Sequence, residues 1–234
     1  MAKKLQDKAQ DNIQAVEEAL SRTEMFLEKH QKPILIGLGV IILIFGGYFG
    51  YQRFIKLPKT REAQEKMYVA ERYFAQDSLN LALNGDGLNL GFLDIIDDYG
   101  RTPGGNLARY YAGAIYLKQG NFAEAITLLK KFKSKDPMVY PNALRMLGDA
   151  NLELNNQQEA IEYYLKAAEK ANNDLLTPEF LMRAGNTYEL MKEYQKALDI
   201  YNRIKTEYPT SFRSSNIEKY IARVEMYLAH GTGK

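Results

Sequence analysis

Side-chain catalysis needs groups that titrate or attack near neutral pH, and this chain offers few of them. Its 234 residues include no cysteine, and its two histidines, His30 and His230, stand near opposite ends. Disulfides, thiolate metal sites, thiol nucleophiles and an acylated lipoprotein cysteine are thereby excluded. A histidine metal cluster or a Ser/His/Asp relay in the body of the chain is close to excluded. The phrase GDGLNLG, Gly85 to Gly91, has the look of a phosphate loop. It misses the GxGxxG spacing and follows no strand, so it reads as a turn. Asp94, Asp97 and Asp98 fall at helical spacing without further carboxylates at an EF-hand spacing, which reads as a solvated acidic face. Lys130, Lys131, Lys133 and Lys135 cluster near a helix end, where they complement its dipole. With 31 Lys and Arg against 29 Asp and Glu, the net charge of +2 gives no field that would recruit nucleic acid. No catalytic, cofactor-binding or metal site is expected.

The elements explain this poverty of chemistry. Ile34 to Tyr51 reads ILIGLGVIILIFGGYFGY, uncharged throughout, between Lys29, Lys32 and Pro33 on one side and Arg53 and Lys56 on the other. At about 1.5 Å per residue this stretch spans roughly 27 Å, enough for a thin hydrocarbon core. A cleaved signal peptide would need a short basic start and a small-x-small exit; here the run leaves through Tyr48, Phe49, Tyr51 and Arg53. A buried soluble helix would show a polar face, and this stretch has none. One uncleaved signal-anchor helix over 33–52 is the expectation, with Tyr48 and Tyr51 at the interface of a lipid bilayer. Gly46 and Gly50 form a GxxxG spacing, which suits close helix packing but also fits the ordinary glycine content of membrane helices.

Residues 1–32 hold six basic and six acidic residues, with Leu5, Ala9, Ile13, Val16, Leu20 and Leu27 at spacings near three and four. They form an amphipathic segment with a narrow stripe, either laid on a membrane or partner or left as a solvated tail. Ser21 and Glu24 make a capping box that suggests a second helical start. Orientation has opposing signals. Arg22, Lys29 and Lys32 precede the span, whereas Arg53, Lys56, Lys59, Arg61 and Lys66 follow it, which favours a cytoplasmic C-terminal body. Long domains, however, translocate largely regardless of charge.

The body repeats. Gly113, Gly148 and Gly185 are spaced by 35 and 37, and Ala125, Ala160 and Ala197 follow each glycine by twelve. A constant offset between small residues is what two crossing helices need for close approach. The turns QGNF, NNQQ and MKEY lie between them, and Pro137 and Pro209 stand twelve residues beyond Ala125 and Ala197; Asn172 takes that place in the middle repeat. These residues resemble the tetratricopeptide repeat, a helix-turn-helix unit of about 34 residues, although the family's tryptophan is missing. Phe92, Ile95 and Tyr99 align in phase with Tyr201, Ile204 and Tyr208, which marks a degenerate helix pair over 53–105 ahead of three repeats over 106–211. Ile217, Tyr220, Ile221, Val224 and Leu228 give one apolar face to a capping helix within 212–234. The fold class is all-α: one N-terminal transmembrane helix, then a tetratricopeptide-repeat α-solenoid with a C-terminal cap.

The resemblance implies a concave groove lined by the first helix of each repeat. Carried onto this chain, the repeat phase places Tyr110, Ala114 and Leu117, then Arg145, Asp149 and Leu152, then Met182, Asn186 and Glu189 along it. These residues lack the ordered Lys and Asn set that clamps a C-terminal carboxylate. The groove suits an extended or helical peptide or is closed by the protein's own segments. The order of polar helix, FLEKHQKPILIGLGV anchor, GGYFGYQ exit and ARYYAGAIYLKQGNFAEAI repeat resembles the YfgM-like family, ancillary subunits of the bacterial SecYEG translocon. That resemblance implies a non-enzymatic inner-membrane protein, N-terminus cytoplasmic and repeats periplasmic. Its partners would be a SecYEG-type translocon, a periplasmic chaperone or prolyl isomerase, and translocating polypeptides. The alternatives are a membrane-tethered cytoplasmic adaptor or an envelope scaffold unrelated to Sec.

Overall fold

The computed structural model describes residues 2–231, with side chains from Leu20 onward except 22–24 and 26–28. The stripe positions Leu5, Ala9, Ile13, Val16 and Leu27 lie outside the described side chains. Among the described residues every regular element is helical. The chain divides into two compact units, 1–58 and 59–234.

The first unit is one helix, α1, from Ala2 to Tyr51. The second helical start expected at Ser21 is absent. The flanking residues are rich in Ala, Leu, Gln, Glu and Lys, all strong helix formers, so the backbone continues through Ser21 without needing a cap. It also passes Pro33 without a break. No residue from Ile34 to Tyr51 is buried, and a side chain added at Gly46 or Gly50 would meet nothing. This helix is long and apolar enough to cross a membrane. It ends in a π-helical turn, Gln52–Lys56, in which the Leu57 amide donates to the Gln52 carbonyl.

The second unit is a run of helices: α2 Leu57–Ala75, which begins at the unit boundary, α3 Leu79–Asn84, α4 Phe92–Tyr99, α5 Pro103–Lys118 and α6 Phe122–Lys131. They are followed by α7 Val139–Glu153, α8 Gln157–Ala171, α9 Thr177–Leu190, α10 Tyr194–Glu207 and α11 Ile217–Ala229. From α3 onward successive helices pack on each other. Each crossing within a repeat is built the same way. Gly148 on α7 faces the Tyr164 ring on α8, and Gly185 on α9 faces the Tyr201 ring on α10; a Cβ on either glycine would lie 2.4 Å from the ring's Cε1. In the first repeat Leu129 fills the same place against Gly113. The partner therefore stands sixteen residues on, while Ala125, Ala160 and Ala197 are fully buried beside it.

The turns that join first to second helices are also shared. Gly120, Asn155 and Lys192 adopt positive φ at equivalent places, and Asp77 does so after α2. In each, the next amide donates back five residues: Asn121 to Tyr116, Asn156 to Asn151, Glu193 to Tyr188 and Ser78 to Tyr73. This left-handed helix stop suits glycine and asparagine best. The degenerate first pair thus keeps the repeat's turn, and its extra length lies in GDGLNLG, where Asp86 accepts from the Leu88 and Asn89 amides at 2.8 and 2.6 Å and from the Tyr73 hydroxyl at 2.7 Å. Those donors hold the Asp86 carboxyl well below the usual range, Tyr73 foremost. Phe92 and Ile95 are fully buried, as are Tyr201 and Ile204.

Candidate interaction groove

A first helix of each repeat presents one face to its neighbour, and ion pairs tie these faces together at a constant offset. Asp149 on α7 accepts from Arg183 Nη1 on α9 at 2.9 Å. Glu179 at the start of α9 accepts from Arg213 Nε and Nη2 at 2.5 and 2.7 Å. Glu189 near the end of α9 accepts from Arg223 Nε and Nη2 on α11 at 2.9 and 2.7 Å. All three pairs are separated by 34 residues. Bidentate geometry at Arg213 and Arg223, and the partial burial of the three carboxylates, make these pairs stronger than ordinary surface pairs.

Two of the carboxylates, Asp149 and Glu189, also anchor a core tyrosine. Tyr164 donates to Asp149 Oδ1 at 2.8 Å, and Arg145 donates to the other oxygen. Tyr201 donates to Glu189 Oε1 at 2.5 Å, with the Asn186 amide oxygen 2.9 Å away. Burial first, and the neighbouring carboxylate next, push both phenols well above their ordinary pKa. Arg223 also sits 4.9 Å over the Tyr220 ring, which packs against Tyr201. Glu189→Gln removes the charge that both Tyr201 and Arg223 serve. We expect it to weaken the cap by about 1.5 kcal/mol, read as roughly tenfold faster exchange of α11 amides. Unchanged exchange in α11 would show that apolar packing alone holds it.

The residues expected along the groove separate into three groups. Leu117, Asp149 and Leu152 come together, joined by Lys118, Phe122, Tyr164 and Arg183, around a cavity of about 450 Å³. Arg145, Asn186 and Glu189 belong to the hydrogen-bond network just described. Tyr110 and Ala114 are half-buried, Tyr110 against Phe132 with ring centroids 5.3 Å apart, and Met182 is only 3% exposed and packs in the core. Met182 stands three residues before Gly185, as Arg145 stands before Gly148, but its side chain packs in the core and the next residue, Arg183, is the partly exposed one. Arg183 and Arg223 were not among the expected groove residues. The signal that finds them is opposite charge at a spacing of 34. Arg183 Nε is itself buried without a hydrogen-bond partner, and the cavity's lining mixes Leu117, Phe122 and Leu152 with the charged Lys118, Asp149, Glu153 and Arg183.

Among the described residues no group of histidines and carboxylates could hold a metal ion. Asp94 is taken up by the α4 start, where Oδ2 accepts from the Gly91 amide at 3.2 Å.

Comparison with known proteins agrees with this geometry. Tetratricopeptide repeat family models match residues 92–138, 117–174 and 179–211. A TPR repeat-containing protein of Methanocaldococcus jannaschii is 31% identical over 109 residues, which are 47% of this chain and 18% of that protein. The chain thus spans less than a fifth of that relative's length. Among solved structures, the TPR-like repeats of a Podosopora anserina putative kinesin light chain superpose with a TM-score of 0.54 at 16% identity, covering 74% of this chain and 88% of that one. MamA superposes with a TM-score of 0.51 at 18% identity, covering 69% and 95%. At those identities the likeness speaks to fold. Glycine-crossed helix pairs, shared left-handed turns and matching family models lead to one conclusion: the body of this chain, over residues 92–211, is an array of tetratricopeptide repeats.

Proposed function

We propose that this protein is a membrane-anchored, non-enzymatic scaffold, an accessory subunit of a Sec-type translocon in the bacterial inner membrane. The carrying observation is the joining of a span-length apolar helix to a repeat array whose groove brings Leu117, Leu152 and Phe122 around a cavity beside Asp149 and Arg183. Tetratricopeptide repeats serve protein–protein interaction, and such a pocket suits an apolar side chain of an extended peptide with a backbone carbonyl on the arginine. The partners in this reading are the translocon, a periplasmic chaperone or prolyl isomerase, and emerging polypeptides. The resemblance of the anchor and first repeats to the YfgM-like family supports it. In this orientation the N-terminus is cytoplasmic and the repeats are periplasmic.

The basic residues after the span favour a second reading, an adaptor with cytoplasmic repeats. The absence of cysteine makes the test clean. Single cysteines at Ala2 and Lys133 are labelled in intact cells with a maleimide that cannot cross the inner membrane. Labelling at 133 alone is the expected outcome, with Sec components co-purifying in mild detergent. Labelling at 2 alone, or purification consistently free of Sec components, overturns the translocon reading.

A further inference from the structure

The first helices run parallel through the array. Ala63 near the start of α2 meets Gly104 at the start of α5, and Asp77 after α2 pairs with Lys118 at the end of α5. Glu62 bonds Tyr99, and Glu179 at the start of α9 pairs with Arg213 just ahead of α11. The loops that lead from one repeat to the next therefore share one edge, and the chain enters the array on that edge, at Lys59.

Three of these loops carry an exposed apolar residue at intervals of 37: Met138, Leu175 and Phe212, exposed by 43%, 72% and 82%. In two of them the backbone is fixed. Asp136 accepts from the Met138 and Val139 amides at 2.8 and 2.9 Å, and Asn173 accepts from those of Leu175 and Leu176 at 3.1 and 2.8 Å. The same edge is basic at its centre, where Lys130, Lys131, Lys133 and Lys135 are exposed beside one acid, Asp136, while at the next loop the exposed Asp174 adjoins Leu175. The opposite edge also exposes leucines, Leu88 and Leu190, but there Asp77, Asp86, Glu153, Glu159 and Glu193 outnumber Lys118, Lys192 and Lys196, with Lys118 and Lys196 paired to Asp77 and Glu193. Apolar exposure alone does not choose an edge; charge and the point of chain entry do.

We propose that the edge bearing Met138, Leu175, Phe212 and the Lys130–Lys135 cluster docks on an anionic lipid surface. Apolar side chains beside lysines are what an interfacial contact requires, the former reaching the acyl boundary and the latter the headgroup charge. The apolar stretch ends at Tyr51 and the array begins at Lys59, so the bilayer that the stretch crosses is the nearest such surface. This inference rests on the membrane-span reading and is independent of the translocon.

The test uses the full chain reconstituted in vesicles of phosphatidylcholine with or without phosphatidylglycerol. An environment-sensitive fluorophore is placed on Leu43→Cys, Leu175→Cys, Phe212→Cys or Leu190→Cys, and quenching by nitroxide-bearing lipid is read. Position 43 is expected to be quenched in both vesicles. Positions 175 and 212 are expected to shift to the blue and lose emission in the anionic vesicles, while 190 does not, and Lys133→Glu with Lys135→Glu is expected to restore emission at 212. Quenching at 43 with no more at 175 and 212 than at 190 overturns the docking and leaves the span standing. No quenching at 43 overturns the span and the docking with it. A blue shift that grows with protein density without lipid quenching assigns the edge to a second copy and equally overturns the proposal.

Discussion

Gly148→Val is expected to lower the stability of the array by about 3 kcal/mol, a fall of roughly 10 °C in Tm. The added Cβ would lie 2.4 Å from Tyr164 Cε1 and 2.6 Å from Cδ1, well inside contact distance. The ring has nowhere to retreat: Tyr164 is 1% exposed and its hydroxyl is tied to Asp149. Gly148→Ala meets the same ring but regains about 1 kcal/mol of helix propensity, so its loss is smaller. Thermal denaturation of the two variants orders them. Assignment to the ring follows from a double-mutant cycle, because in a Tyr164→Ala background the ring is gone and Gly148→Ala becomes neutral or stabilising. If the two substitutions prove additive, the glycine is not there for the tyrosine.

Alkali is expected to open the array through Tyr164 and Tyr201. Both phenols titrate above their ordinary value of 10.0 in the folded state, driven by burial and then by Asp149 or Glu189. The unfolded chain therefore releases these protons first, and above pH 10 stability falls as pH rises. The contribution is whole below pH 10 and lost as the pH climbs towards the folded values. At pH 11 the unfolded tyrosines lie about one unit past their pKa, worth about 3 kcal/mol for the pair, or roughly 9 °C in Tm. Tyr99, pushed up to about 12 by its bond to Glu62, adds in the same direction. Comparing melting temperatures at pH 9 and pH 11 in Tyr164→Phe/Tyr201→Phe isolates the pair from the lysines that titrate nearby. The double variant is expected to be less stable at pH 9 but to lose clearly less between the two pH values. Equal losses would mean that neither hydroxyl is held protonated by the fold.

The repeats were legible because a crossing fixes residue size, and size repeats visibly: Gly113, Gly148 and Gly185 stand out against any background. What each glycine faces was less legible. The alanines twelve residues on are buried, yet the contact falls sixteen residues on, at Leu129, Tyr164 and Tyr201, because it depends on how the second helix is rotated. The groove suffered from the same uncertainty of rotation. The offset of three residues before the glycine that leaves Tyr110 and Arg145 partly exposed places Met182 outward as well, but Met182 packs in the core and Arg183 is the partly exposed residue. Ion pairs at 34 residues were written plainly in the sequence, but opposite charges are so common that a period of three carries weight only once parallel helices bring them together. The break expected at Ser21 failed for a different reason, since a capping signal marks a helix start only where the preceding residues do not already propagate a helix.

Contacts that reach only 34 to 41 residues ahead have a consequence for synthesis. Asp77 finds Lys118, Asp149 finds Arg183 and Glu189 finds Arg223, and among the described residues none of these ion pairs reaches further than 41 residues. Low contact order of this kind favours rapid local closure. Each helix pair can therefore settle on the one before it as soon as the next few dozen residues emerge. The apolar faces are covered one at a time, in the order of translation, and α11 closes the last of them.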